Sequence, residues 1–144
     1  MNHRGPRFNS SGYYDPVAYE AIGRGIRDER KKSQPPKIYI CSPFKGDTVT
    51  NKAKALKYCR FALEQGKFPI APHAYLPQFM DDDNPAERVL ALSFGIRLLG
   101  GCKEIWVFGN YISEGMKQEI RTAEKFGIKI KHFNENMEEL NYVN

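Results

Sequence analysis

Residues 103–123 read KEIWVFGNYISEGMKQEIRTA, and this stretch combines a predicted strand, a turn and a predicted helix. The apolar run at residues 104–108 ends at Gly109, which is typical of a short buried strand. Ser113 is a suitable helix N-cap, because its hydroxyl can accept a backbone N–H two or three residues further on. Apolar side chains recur at helical spacing after it. We therefore expect one strand-turn-helix unit around which the rest of the chain is organised.

Glu119 lies four residues after Gly115 in this predicted helix. Helical side chains lean toward the N-terminus, so the Glu119 carboxylate is expected to project over the turn that contains Gly115. Glycine leaves the backbone there uncovered, close to the free N–H groups and the positive dipole of the helix start. We therefore expect room for a ligand between this backbone and the carboxylate. The alternative is that Gly115 only eases the turn and that Glu119 is a solvated helix residue.

An earlier segment, KIYIC at residues 37–41, predicts the first strand of the domain, and it runs into the turn SPFKGD. Ligands of open parallel sheets bind at the carboxyl ends of the strands, so this turn occupies a favoured position. Ser42, Lys45 and Gly46 offer a hydroxyl, a cation and a flexible backbone, which suit an anionic group. The alternative is an ordinary loop with a solvated lysine.

The remaining periodic segments alternate between strand and helix. We expect helices at residues 51–65 and 86–99, strands at 68–71 and 128–131, and a polar tail, 134–144, that forms one short helix. This alternation predicts a three-layer α/β sandwich with a Rossmann/flavodoxin-like, mainly parallel sheet of four to five strands. Helix 86–99 is apolar on more than one side, so we expect it to be well buried, with a subunit interface as one possibility.

The loop after the second strand carries His73 and the acidic run 81–83. A loop of this length more often has a function than not. One interpretation is that His73 contacts a base or sugar; the alternative is that it only packs against the rest of the loop. Three aspartates suggest Mg²⁺, but adjacent carboxylates diverge, and we favour capping of the next helix at Asn84-Pro85. No GxGxxG follows the first strand and no GxxxxGK[ST] occurs, which argues against dinucleotide and P-loop sites.

Composition and charge limit the classes of protein to which this chain can belong. The 144 residues suffice for one domain, residues 37–133, behind an N-terminal extension, residues 1–36, with one helix and a linker. No apolar run approaches the roughly 20 residues of a membrane span and no signal peptide is evident, so we expect a cytoplasmic protein. The net charge is +5, and its small excess in the extension disfavours nucleic acid as a partner. Three scattered cysteines are expected to be reduced and packed as small hydrophobes.

The segments KIYICSPFKG, residues 37–46, and ISEGMKQEI, residues 112–120, together resemble the nucleoside 2-deoxyribosyltransferase-like superfamily. This superfamily includes a branch that cleaves 2′-deoxynucleoside 5′-monophosphates, and the resemblance is closest to small members often encoded by phages and mobile elements. It covers roughly residues 37–132. It implies action on the N-glycosidic bond of a nucleoside or nucleotide, with no metal and no organic cofactor, in a homo-oligomer whose neighbouring chains complete each site.

The resemblance also implies a role for each matching residue. Glu119 corresponds to the carboxylate that acts at the anomeric carbon, where a positioned carboxylate stabilises or covalently traps the oxocarbenium centre. Ser113, the backbone N–H groups of Gly115 and Met116, and Lys45 correspond to a 5′-phosphate site. Tyr39 and the turn at residues 42–46 correspond to a segment that contacts sugar and phosphate.

One departure from the family pattern concerns an acid. The family usually has an aspartate in the helix before the third strand, near the place of Gly95, and this chain has no acid between Glu87 and Glu104. Either Glu87 or the acidic run 81–83 supplies the acid, or the protein binds a nucleotide without turning it over. The alternative function is therefore a non-catalytic nucleotide-binding or sensing module with the same pocket.

Overall fold

Five strands form one mixed sheet in the computed structural model, which describes residues 34–141. They are β1 (Lys37–Cys41), β2 (Phe68–Ile70), β3 (Glu104–Phe108), β4 (Lys129–Phe133) and β5 (Glu139–Leu140), with the spatial order β2-β1-β3-β4-β5. The first four are parallel and β5 is antiparallel to β4. This is the flavodoxin-like strand order, and it confirms the predicted α/β class. The helix expected in the N-terminal extension lies outside the described residues.

Helices cover both faces of the sheet. Within residues 34–141 they are α1 (Thr48–Glu64), the short α2 (Pro72–Tyr75), α3 (Pro85–Gly100) and α4 (Glu114–Lys125). Each of the three long helices has an N-terminal side-chain cap. Asp47 accepts a hydrogen bond from the Thr50 N–H, Asn84 from the Ala86 N–H and Ser113 from the Met116 N–H. The Asp47 cap makes α1 start before the predicted residue 51. None of these helices is long and apolar enough to cross a bilayer.

Alternate side chains of the central strands build two cores. Tyr39, Cys41, Ile105 and Val107 face α3 and α4, in a cluster that includes Leu99, Cys102, Met116 and Ala123. Ile38, Ile40, Trp106 and Phe108 face α1, where the Tyr58 and Phe108 rings stack with centroids 4.2 Å apart. Burial on both faces explains why β1 and β3 are nearly continuous apolar runs. It also confirms the predicted three layers.

Helix α3 does not have the predicted burial. Only Leu99 of this helix is fully buried, whereas four large apolar side chains are exposed within the single chain: Val89, Leu90, Leu92 and Ile96. The helix packs through its C-terminal part, since Leu98 and Leu99 join the core next to Cys102. The prediction of a well-buried helix was therefore wrong for the isolated chain.

The start of the polar tail also differs from its prediction. Residues 139–140 form β5, which pairs with Phe133 and His132 of β4, and no helix forms between residues 134 and 141. Asn134 directs the reversal, because its side-chain oxygen accepts from the N–H groups of Asn136 and Glu138. Strand β4 consequently runs to residue 133, beyond the predicted end at residue 131.

Candidate functional site

Glu119 lies in the second turn of α4 and points its carboxyl group at the end of β1. The Tyr39 hydroxyl donates a hydrogen bond to Oε2, and the Cys41 Sγ lies 3.6 Å from Oε1. Tyr39 and Cys41 are two residues apart in β1, so both side chains project from the face that packs against α4. Each oxygen of the carboxylate thus has its own donor from the same strand.

Burial dominates the protonation behaviour of this cluster. Burial raises the pKa of Glu119, and the hydrogen bonds from Tyr39 and Cys41 lower it. Burial is the larger influence, so the resulting pKa is about 7. Burial and the neighbouring Glu119 charge raise the pKa values of the Tyr39 hydroxyl and the Cys41 thiol well above their usual ranges. Near neutral pH, therefore, Tyr39 and Cys41 are neutral donors and Glu119 is divided between acid and carboxylate.

The start of α4 is open beside this cluster. Ser113 Oγ accepts from the Met116 N–H at 3.2 Å, as its predicted cap role requires. A Cβ placed on Gly115 would have only Ser113 Oγ near it, at 4.0 Å. Gly115 is exposed, so its backbone is accessible in the first turn of the helix. The structure thus brings Ser113, Gly115, Met116, Glu119 and Tyr39 together.

Gly95 faces the same cluster from α3. A Cβ placed on Gly95 would lie 3.6 Å from the Tyr39 hydroxyl oxygen. A side chain at position 95 would therefore reach the Tyr39–Glu119 pair. As a glycine, residue 95 supplies no side chain to this pair.

Ser42 and His73 form a second polar pair at the carboxyl edge of the sheet. Ser42 Oγ and His73 Nε2 are 2.8 Å apart, and Ser42 is buried. Burial lowers the pKa of His73 to about 4, so the imidazole is neutral at physiological pH. Ser42 directly follows Cys41, which places this pair next to the Glu119 cluster along β1. A neutral donor-acceptor pair suits hydrogen bonding to a sugar or base.

Lys45 and Gly46 lie in the exposed turn before α1, unlike the buried polar groups described above. Lys45 is exposed and its Nζ lies 3.9 Å from Asp82 Oδ2, while Gly46 has φ of 100° in the turn before α1. The described hydrogen bonds of the acidic loop remain local: Asp81 Oδ1 accepts from the Asp83 N–H, and Glu87 Oε1 accepts from the Asp81 N–H. Asn84 caps the next helix. Among the described residues, neither Glu87 nor the acidic run has a hydrogen bond or ion pair with Glu119.

A groove of about 540 Å³ lies beside the edge strand β2. Its walls are mainly apolar, with Leu56 and Cys59 of α1, Phe68 and Ile70 of β2, and Tyr75. It shares no residue with the Glu119 cluster or with the Ser42–His73 pair. The Glu119 cluster and the Ser42–His73 pair therefore lie outside this groove.

Cys41 is the residue of the cluster to which the sequence analysis gave no functional role. We predicted that it packs as a small hydrophobe, and it is indeed fully buried. The period of two along β1 was the available signal, because it places Cys41 on the same face as Tyr39. That both would meet Glu119 depends on the packing of α4 against β1.

Comparisons with known proteins identify the family to which the chain belongs and support the fold described above. The family model described as "Domain of unknown function (DUF7768)" matches residues 36–133. No curated protein matches the chain. A solved 2-deoxyribosyltransferase from the psychrotolerant bacterium Bacillus psychrosaccharolyticus is similar, with 18% identity, a TM-score of 0.54 and coverage of 73% of this chain and 77% of that chain. The CMP N-glycosidase BcmB of Clostridium botulinum has 17% identity, a TM-score of 0.45 and 68% coverage of each chain. At 18% identity, the first similarity establishes a shared fold.

Proposed function

The chain belongs to the family described as a domain of unknown function, DUF7768, and we propose that it cleaves or transfers the N-glycosidic bond of deoxyribonucleosides or their 5′-monophosphates. One observation carries this proposal: Tyr39 and Cys41 hold the Glu119 carboxylate at the carboxyl end of the sheet, beside the open backbone of Gly115. The fold shared with a 2-deoxyribosyltransferase supports it. Ligands of such sheets bind at this edge.

Glu119 acts at the anomeric carbon in this mechanism. As the bond from C1′ to the base breaks, the bonding electrons leave with the base and positive charge develops at C1′ and the ring oxygen. The ionised Glu119 stabilises that charge and bonds to C1′. In hydrolysis, water then breaks the Glu119–C1′ bond, its OH passing to C1′ and its proton to the released base; in transfer, a second base displaces Glu119 from C1′ and gives up a proton in exchange for the one that the first base gains. Both routes restore the carboxylate. Tyr39 and Cys41 fix the orientation of the carboxylate before it bonds to C1′.

The start of α4 holds the 5′-phosphate when the substrate is a nucleotide. Backbone N–H groups and the helix dipole favour an anion there, and the exposed Gly115 allows close approach. Ser113 supplies a hydroxyl at the same place. Lys45 forms only an exposed pair with Asp82, at 3.9 Å, which is worth little. It can therefore turn toward a phosphate at small cost.

The second candidate is a nucleotide-binding module without turnover, and the observation that favours it is Gly95. This residue lies against the Tyr39 hydroxyl and supplies no acid to protonate the departing base. Such a module predicts saturable nucleotide binding by calorimetry and no product by chromatography.

The decisive assay incubates the purified full chain with a panel of deoxynucleosides and their 5′-monophosphates and measures liberated base by chromatography. Glu119→Gln should lower the rate by roughly three orders of magnitude or more, because it removes the nucleophile and keeps its shape. Glu124→Gln is the matched control, since it makes the same change at an exposed position of the same helix. Its rate should equal that of the wild type.

Each outcome separates the candidates. Base release that survives Glu119→Gln removes the proposed role of Glu119. Nucleotide binding without any product from the wild type favours the binding module. Failure to bind any member of the panel contradicts both functions.

We also propose that the chain works as a homo-oligomer through α3. Val89, Leu92 and Ile96 recur at helical spacing and expose a continuous apolar stripe. Leu92→Glu should shift the sedimentation coefficient toward that of a monomer. Leu63→Glu on α1 is the control, because Leu63 and Leu92 have the same exposed fraction, 54%. A wild-type chain that sediments as a monomer contradicts the proposal.

A further inference from the structure

The geometry points to Cys41 as a positioning residue for Glu119: its thiol donates to Oε1, holds the plane of the carboxyl group and favours the ionised form. This inference concerns the same site as the proposed function and rests on that function only for its kinetic consequence. The thiol is 3.6 Å from Oε1 and is itself fully buried, whereas Glu119 is half-buried. Tyr39 binds the other oxygen, which leaves Oε1 to Cys41.

The Cys41 thiol is a weak donor, but among the described residues few other groups around Glu119 can stabilise its ionised form. Tyr39 and Cys41 face it from β1, and Gly95 approaches the Tyr39 hydroxyl from α3 without a side chain. The Met116 backbone carbonyl, in the preceding turn of α4, lies near the Cys41 thiol. Burial, the largest influence on Glu119, favours its neutral form. The two hydrogen bonds from β1 are the influences that favour the carboxylate, and Cys41 supplies one of them.

Cys41 also has a second acceptor within reach. Its Sγ lies 3.9 Å from the Met116 carbonyl oxygen, compared with 3.6 Å from Glu119 Oε1. When Oε1 loses its negative charge, by protonation or by bonding to C1′, the thiol proton can turn to the Met116 carbonyl. When the carboxylate is restored, the proton returns to Oε1. The buried thiol is thus paired in both states, and no proton is transferred.

The thiol suits this place better than its smaller relatives. A serine hydroxyl would extend less far from Cβ, because a C–O bond is shorter than a C–S bond. Alanine would remove the donor and leave a small cavity in the apolar cluster. Valine also removes the donor but is larger than cysteine, so alanine and valine change the packing in opposite directions, and an effect common to both reports the hydrogen bond.

Carbon-13 NMR of the glutamate carboxyl groups can measure the ionisation midpoint of Glu119 directly, with Glu119→Gln used to assign the signal. Cys41→Ala and Cys41→Val should each raise the midpoint by roughly half to one pH unit, a three- to tenfold change in proton affinity, since a thiol is a weak donor. Cys41→Ser should lie nearer the wild type. Cys102→Ala is the matched control: Cys102 is a buried cysteine of the same cluster that binds the Leu98 carbonyl at 3.2 Å.

The midpoint and the rate of base release give separate answers. A raised midpoint in Cys41→Ala and Cys41→Val, with Cys102→Ala unchanged, supports the inference even if no substrate is cleaved. An unchanged midpoint in whichever of the two variants folds overturns it, even if the wild type is an active enzyme. An equal shift in Cys102→Ala also overturns it, because general loosening of the core would then be the cause.

Discussion

Burial and hydrogen bonding act on Glu119 in opposite directions, and burial is the stronger. The resulting pKa of about 7 places the change in charge within the physiological range. A nucleophilic carboxylate must be ionised, so kcat/KM for base release should rise as pH increases through about 7. A pH–rate profile from pH 5 to 9 measures this. A profile that is flat, or that falls across this range, contradicts the role of Glu119 as nucleophile.

The local relations of Glu119 are predictable from the sequence, whereas its contacts with distant residues are not. The four-residue spacing to Gly115 and the cap at Ser113 follow from helical geometry, and both are present in the structure. The contacts of Glu119 with Tyr39 and Cys41 span 80 and 78 positions of the sequence. They depend on the packing of α4 over β1, which no local pattern contains. This is why Cys41 was assigned to packing alone.

At the scale of elements, the first turn of α4 contains a glycine that leaves its backbone uncovered. Alanine is the better helix former, and a Cβ on Gly115 would meet only Ser113 Oγ, at 4.0 Å. Gly115→Ala should therefore raise the free energy of unfolding by up to about 1 kcal/mol. The added methyl group should also weaken nucleotide binding, because it occupies the uncovered backbone.

Urea unfolding and calorimetry test the two effects of Gly115→Ala separately. Gly100→Ala in α3 is the control, since its Cβ would make an ordinary contact with Phe126 at 3.6 Å. It should leave nucleotide binding unchanged. Unaltered binding by Gly115→Ala would show that the ligand does not approach this turn.

The elements were predictable where side-chain periodicity and capping residues agree. Helix α4 has both signals, whereas β1 and β3 are recognised as apolar runs that end at a turn, and the positions of all three follow from the sequence. The burial of α3 was not predictable, because apolar residues on two sides of a helix do not reveal whether this chain or another covers them. The short β5 was missed because Glu139 and Leu140 lie in a polar segment, and their pairing depends on the turn at Asn134.

At the scale of the whole molecule, Glu119 links stability to pH. Its pKa is about 7 in the folded protein, compared with the ordinary 4.5. Its contribution to stability is therefore fully present below pH 4.5 and is lost as pH rises through about 7. Glutamine carries no charge, so the advantage of Glu119→Gln over the wild type should grow between pH 4 and 8 by as much as about 3 kcal/mol.

Unfolding by urea at several pH values checks this expectation, with Glu124→Gln as the exposed control. His73 acts in the opposite direction, because its pKa is lowered from 6.5 to about 4 and its contribution is lost as pH falls. Comparing each variant with the wild type at the same pH removes the His73 effect. A difference for Glu119→Gln that stays constant across this pH range would contradict the raised pKa.

The sheet order brings the two decisive segments together. Because β1 and β3 are adjacent and parallel, the turn after each lies at the same edge, and the whole site can form there. The central claim is that Glu119 faces the anomeric carbon of a nucleoside at this edge. The most direct measurement is a crystal structure of Glu119→Gln bound to a deoxynucleoside 5′-monophosphate. We predict that the side chain of residue 119 lies within about 3.5 Å of C1′. A nucleotide bound in the groove beside β2, with its sugar away from residue 119, would contradict the claim.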